Sequence, residues 1–157
     1  MNILELDALN EEVASHIGDD GYKWAVMCPN GHTTSVFIGK PTMKFQDAPC
    51  LQCKHQHGGE IEIVYSANEW RLERAAAQFW AMDYVLAWPL FWTTAFNGGW
   101  GFNLQKLPGE TTPWLLNLWN KVKNGDRVID IRGESFPEVL CRAFLEMIKH
   151  QDNTAGE

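Results

Sequence analysis

Apolar side chains recur along the chain with periods that change from segment to segment. Residues 7–17 place Leu9, Val13 and Ile17 on one helical face, with Asp7 as the expected N-cap and Gly18 as the stop. From residue 22 the period shortens, and 22–27, 33–38 and 60–65 read as strands separated by Pro, Gly and Asp clusters. Ser66 and Glu69 have capping-box spacing, which predicts a helix over 69–88 that Pro89 ends. Runs 90–96 and 100–106 flank Asn97-Gly98-Gly99 and read as a hairpin. Thr112-Pro113 opens a predicted short helix to residue 123, and Asn124-Gly125-Asp126 turns the chain into a strand at 127–132. Ser135-Phe136-Pro137-Glu138 is a second capping-box pattern. It starts a predicted helix to His150, with Val139, Leu140, Ala143, Phe144, Met147 and Ile148 at helical spacing.

Together these elements predict an α+β chain in four parts. An acidic N-terminal helix spans 1–20, a small β module 21–66, and an α/β domain 67–150; the tail 151–157 is expected to fray. The α/β domain is expected to be a three-stranded antiparallel meander covered by helices. With 45% hydrophobic and 21% charged residues in 157, the composition excludes wholesale disorder and fibrous repeats.

Charge narrows the partners. Twenty acidic against 13 basic side chains give a net charge of −7, the wrong sign for holding nucleic acid by bulk electrostatics. Glu5, Asp7, Glu11, Glu12, Asp19 and Asp20 fall within the first 20 residues with no Lys or Arg, so an electronegative surface at Glu11, Glu12, Asp19 and Asp20 is one candidate for partner contact; a solvated helix face is the plainer alternative. No charged leader followed by an apolar core opens the chain, so a cytoplasmic location is expected. The apolar stretch 75–105 is interrupted by Gln78, Asp83, Pro89 and Asn97-Gly98-Gly99, which favours a buried element over a membrane span.

The chemistry concentrates in the β module. Cys28-Pro29-Asn30-Gly31-His32 and Cys50-Leu51-Gln52-Cys53 are two tight turns that each offer a pair of soft or borderline ligands, the donor set that structural zinc prefers. Two β-hairpins are expected to bring them together. His55 and His57 follow Cys53 and compete with His32 for the fourth position; His32 is favoured because it shares a turn with Cys28. Four protein ligands leave no open coordination position, and no glutamate of the hydrolase or deaminase kind accompanies them, so a structural role is expected and an enzymatic one is not. A disulfide is disfavoured by the reducing compartment. Lys40, Lys44, Lys54, His55 and His57 could form a modest basic rim beside the site. Cys141 lies inside the last predicted helix and reads as a small buried residue.

Nine aromatics lie between Phe79 and Phe102, and Trp114 and Trp119 add two more. A small core cannot take all of them. Core packing is the plainer reading of the set; Trp88, Trp92 and Trp100 are the candidates for a partner-binding face, with base stacking a further alternative.

Two resemblances follow from these motifs. The module 21–66 resembles a zinc ribbon, which implies a structural Zn2+ and contacts with protein or nucleic acid, and Cys28, His32, Cys50 and Cys53 match its ligand positions. Residues 69–150 are similar to the phage ABA sandwich domain through Asn97-Gly98-Gly99-Trp100 and the Phe136-Pro137-Glu138-Val139-Leu140-Cys141-Arg142-Ala143-Phe144-Leu145 segment. That family implies bacteriophage origin and an architecture, with no active site to carry over. The expectation is a non-enzymatic phage accessory protein in the bacterial cytoplasm that binds a host or phage protein. Its expected role is counter-defence, such as inhibition of a CRISPR effector or nuclease by occlusion. The alternative is a zinc-ribbon regulator that binds nucleic acid through the Lys/His rim.

Overall fold

The computed structural model describes residues 1–122 and 125–154. In chain order the elements are α1 (Ile3–Ile17), a 3-10 turn (Asp19–Gly21), β1 (Tyr22–Met27), β2 (Thr33–Ile38), β3 (Ala48–Pro49), α2 (Leu51–Gln56), β4 (Val64–Tyr65), β5 (Arg71–Ala77), α3 (Tyr84–Asn97), β6 (Gly101–Lys106), β7 (Trp114–Val122), β8 (Gly125–Gly133) and α4 (Phe136–Thr154). The fold is mixed α+β, and every strand pairing is antiparallel among the described residues. The chain divides into two compact units, Ala14–Gln78 and Met1–Val13 with Phe79–Glu157, so α1 contributes to both. No helix among the described residues is long and apolar enough to cross a membrane.

Helix α1 begins one turn earlier than expected. Asn2 Oδ1 accepts from the Glu5 N–H and Glu5 Oε2 accepts from the Asn2 N–H, each at 3.0 Å, so Asn2 and Glu5 form the capping box and Asp7 is interior. Gly18 ends the helix as expected.

In the unit Ala14–Gln78 a three-stranded sheet runs β2-β1-β5, with a two-stranded ribbon β3-β4 beside it in sequence. Strands β1 and β2 match the sequence expectation; of 60–65 only Val64–Tyr65 is a strand. The predicted helix over 69–88 is not formed. Ser66 N–H does donate to Glu69 Oε2 at 2.7 Å, but the pair closes a turn, and 71–77 then joins β1 in the register Trp24↔Arg74 and Ala25↔Glu73. Arg71-Leu72-Glu73-Arg74-Ala75-Ala76-Ala77 has high helix propensity, and the tertiary pairing overrides it.

In the other unit β6, β7 and β8 form an antiparallel meander, with α4 against β7, β8 and α3. The expected three-stranded meander is therefore present with different members. Residues 90–96 belong to α3, whose first turn is capped by Asp83 Oδ1 accepting the Val85 N–H at 2.9 Å. Pro89 lies inside this helix instead of ending it. Its ring removes the bond that would run to the carbonyl of Val85, a residue 61% exposed.

Asn97-Gly98-Gly99 is a helix end and not a hairpin turn. The Trp100 N–H donates to the Ala95 carbonyl at 2.9 Å and the Gly99 N–H to the Phe96 carbonyl at 3.3 Å, the two bonds of a Schellman motif, with Gly99 at φ +68. The predicted helix from Pro113 is strand β7, where Leu116 and Leu118 are fully buried while Asn117 and Trp119 between and beyond them point the other way. The expected turn at Asn124 and the helix end at residue 123 lie outside the described residues.

Helix α4 holds to the second capping pattern with one change. Ser135 Oγ accepts the Glu138 N–H at 3.3 Å, but Glu138 Oε2 reaches back to the Glu134 N–H at 2.9 Å, one residue beyond the box. Val139, Leu140, Ala143, Phe144 and Met147 are buried as expected, and the helix continues to Thr154, past the expected start of the tail. Asn10 of α1 is buried and its Oδ1 accepts the Ala81 N–H at 2.7 Å.

Candidate metal centre and an exposed aromatic face

The first ligand pair hangs on the β1–β2 hairpin. Cys28 closes it by donating its N–H to the His32 carbonyl at 3.1 Å, and the Gly31 N–H bonds the Cys28 carbonyl at 2.9 Å. Gly31 takes φ +83, which lets the loop curl so that Cys28 and His32 face the same point. The second pair is placed differently from the sequence expectation, which put both pairs on hairpins. Cys50 is the N-cap of α2 and Cys53 lies in its first turn, so a helix start presents both sulfurs. The Cys50 N–H anchors to the Ile63 carbonyl at 3.3 Å, tying that helix start to the segment just before β4.

The four ligand atoms lie within 4.8 Å of one another, and no cysteine is in a disulfide among the described residues. Cys28 Sγ and Cys53 Sγ are 3.7 Å apart. His32 Nδ1 is 3.5 Å from Cys28 Sγ, 3.2 Å from Cys53 Sγ and 3.9 Å from Cys50 Sγ. For a tetrahedral ion with metal–sulfur bonds of about 2.3 Å and metal–nitrogen bonds of about 2.0 Å, the edges should be about 3.8 Å between sulfurs and about 3.5 Å from sulfur to nitrogen. The observed distances scatter around those edges, so the four residues could hold a metal ion. His32 supplies the fourth donor through Nδ1; His55 and His57 are exposed and outside the cluster.

All three sulfurs are buried in a small core with Val26 and Trp70, flanked by Phe37, Phe45, Ala48, Ile63, Tyr65 and Leu72. Their electrostatics differ. Tyr65 donates its hydroxyl to Cys53 Sγ at 3.2 Å and Asn30 Nδ2 donates to the same sulfur at 3.4 Å. The Tyr65 hydrogen bond, with those of Asn30 and His32, holds the Cys53 thiol down at about 6 against the desolvation of its surroundings. Desolvation dominates at Cys50 and pushes its thiol up. Tyr65 in turn is pushed up to about 12, because losing its proton would break the bond to sulfur. Sequence reasoning missed both donors. Asn30 was visible as part of the knuckle, whereas nothing in the sequence singles out Tyr65, which the β3–β4 pairing Ala48↔Tyr65 carries to the site.

The basic rim is partly committed elsewhere. The Lys40 ammonium is 3.7 Å from Asp19 and lies over the Trp24 ring at 5.0 Å. Asp19 also pairs with Arg74 at 3.7 Å, while Glu11, Glu12 and Asp20 are exposed. Cys141 is buried in α4 and its thiol is pushed up to about 12 by that burial.

Of the tryptophans named from sequence, Trp88 and Trp92 are 37% and 48% exposed on α3, whereas Trp100 is 7% exposed and belongs to the core. The helix buries Ala87, Phe91 and Ala95 along one stripe. On the exposed side Tyr84, Trp88, Trp92 and Phe96 follow at intervals of four, with Trp88 and Trp92 stacked at 6.0 Å between ring centroids. This ridge has no charged residue along α3. Phe96 was missed as a member because 90–96 reads as a strand; Tyr84 fell inside the predicted helix 69–88, where its four-residue spacing to Trp88 was the available signal.

Compared with protein-family models, with curated proteins and with solved structures, the chain matches none of them.

Proposed function

We propose that this is a non-catalytic binding protein in which Cys28, His32, Cys50 and Cys53 hold a structural zinc ion and the aromatic ridge of α3 docks on another protein. Three thiolates and one imidazole are the donor set of closed tetrahedral zinc sites, which leave no position for substrate. The observation that carries the binding reading is the ridge itself. Four large aromatics at helical spacing on a charge-free face, one of them 76% exposed at Phe96, retain apolar surface that a core would have taken up. Its composition suits a protein surface better than phosphates, and the net charge of −7 points the same way. Within this reading, inhibition of a host protein by a phage accessory protein is the role that the resemblance of residues 69–150 supports. Exposed Glu11 on α1 would suit a basic target.

The test is capture from bacterial lysate with and without nuclease, comparing wild type with a Trp88→Ser/Trp92→Ser variant whose far-UV circular dichroism matches wild type. One protein captured in both conditions and lost in the variant is the expected outcome. Capture that disappears on nuclease treatment and survives the double substitution would replace this reading with nucleic-acid binding.

A further inference from the structure

The zinc reading leaves a charge to be accounted for. Three thiolates around a divalent cation carry a net −1, and Cys28, Cys50 and Cys53 are each 0% exposed, so water cannot solvate that charge at the sulfurs. Protein donors must do so. At Cys50 they are the backbone N–H groups of Gln52 and Cys53 at the start of α2. At Cys53 they are side chains: Tyr65 Oη at 3.2 Å and Asn30 Nδ2 at 3.4 Å. Asn30 Nδ2 also lies 3.0 Å from Tyr65 Oη, so the two amide hydrogens can serve sulfur and hydroxyl while the hydroxyl hydrogen points to sulfur. Among the described residues no side chain outside the ligand set donates to Cys28.

We propose that Asn30 and Tyr65 act together as an outer clamp on Cys53 that sets how tightly the centre keeps its metal and makes Cys53 the last thiolate to leave. The inference rests on the metal-centre reading. The local fold positions both donors on Cys53. Asn30 sits inside the turn closed by the Gly31 N–H on the Cys28 carbonyl, and Tyr65 is fixed by its pairing with Ala48 and by the edge-to-face contact of its ring with Trp70 at 6.1 Å. A metal-bound thiolate that accepts two hydrogen bonds has less electron density to offer an electrophile, so with the metal in place alkylation by a maleimide reaches Cys28 before Cys53. Outer donors of this kind typically change metal affinity by about 10–100-fold.

The experiment uses the full chain loaded with Zn2+ or Co2+. Chelator competition gives the affinity of wild type, Tyr65→Phe, Asn30→Ala and the double variant. Mass spectrometry of chains partly labelled with N-ethylmaleimide gives the order in which cysteines react. Tyr65→Phe keeps the ring against Trp70 and removes one hydroxyl, so the fold is retained and checked by circular dichroism. The expected result is a loss of about 10-fold for Tyr65→Phe and up to about 100-fold for the double variant. In both, Cys53 should lose its lag behind Cys28, which a purely structural role for the tyrosine would not alter. Wild type binding one ion per chain while Tyr65→Phe keeps the same affinity and labelling order overturns the clamp alone. Wild type binding no ion overturns the clamp and the metal reading together.

Discussion

Cys28 Sγ and Cys53 Sγ stand 3.7 Å apart across 25 residues of sequence, joined by no disulfide and buried on all sides. Such proximity brings together groups that repel one another once ionised, and a shared cation relieves that repulsion. Cys50→Ser or a strong chelator should therefore remove the ion and unfold β1, β2 and β5 together. Apparent metal-binding free energies in small zinc domains run to about 10–16 kcal/mol, far above what so small a core supplies. Hydrogen exchange before and after chelation checks this. Unchanged amide protection in those strands would deny the metal a structural role.

Cys141 makes stability fall at alkaline pH. Burial raises its thiol to about 12 from 9.0, so the native chain keeps a proton that the unfolded chain releases. The contribution is whole below pH 9.0 and is lost as pH rises through about 12. Its limit is on the order of 4 kcal/mol. Urea midpoints measured across this range should fall more steeply for wild type than for Cys141→Ala; parallel profiles would contradict the assignment.

Pro89→Ala should stabilise the protein. Alanine restores an N–H that can reach the Val85 carbonyl within α3 and has a helix propensity better by up to about 3 kcal/mol. A higher unfolding midpoint is expected. A lower one would mean that the pyrrolidine ring contributes packing that outweighs the missing bond.

Gly99→Ala isolates the cost of the Schellman turn. No atom lies within 4 Å of a β-carbon added there, so only the positive φ of +68 opposes the change. The expected loss is about 1–2 kcal/mol by chemical denaturation. A neutral result would show that the turn relaxes to negative φ without strain.

Asn10→Ala should cost about 1–3 kcal/mol, because the Ala81 N–H loses its acceptor in a buried position. An Asn10→Asp variant keeps an acceptor oxygen and should recover part of the loss below the titration of the new carboxyl, where it stays neutral; once ionised in this buried position it should destabilise further. Equal destabilisation by both variants would point to volume in place of the hydrogen bond.

The candidate metal centre was legible as a cluster because its information is local. Two short turns, each with a ligand pair, were enough to name Cys28, His32, Cys50 and Cys53, and Gly31 marked the first turn. The α2 start under Cys50 was not legible, since Leu51–Gln56 is too short to show a helical period. The aromatic ridge was half legible: Trp88 and Trp92 were named, but Trp100 proved to be core, and the strand reading of 90–96 hid Phe96.

The same division holds for the fold. Helix α1, strands β1 and β2 and helix α4 carry their own period and caps, so the sequence by itself determined them, together with the donor set of the metal centre. Only the tertiary structure decided the rest. Residues 71–77 are helix formers by propensity, worth tenths of a kcal/mol each, and become β5 because β1 offers a whole ladder of backbone partners. Residues 84–97 are apolar on nearly every side, so no period separates helix from strand until Asp83 caps one end and Gly99 turns the other. Tyr65 becomes an outer partner of the metal centre for the same reason: its position depends on a pairing with Ala48, and pairing is a property of two distant segments that neither encodes alone.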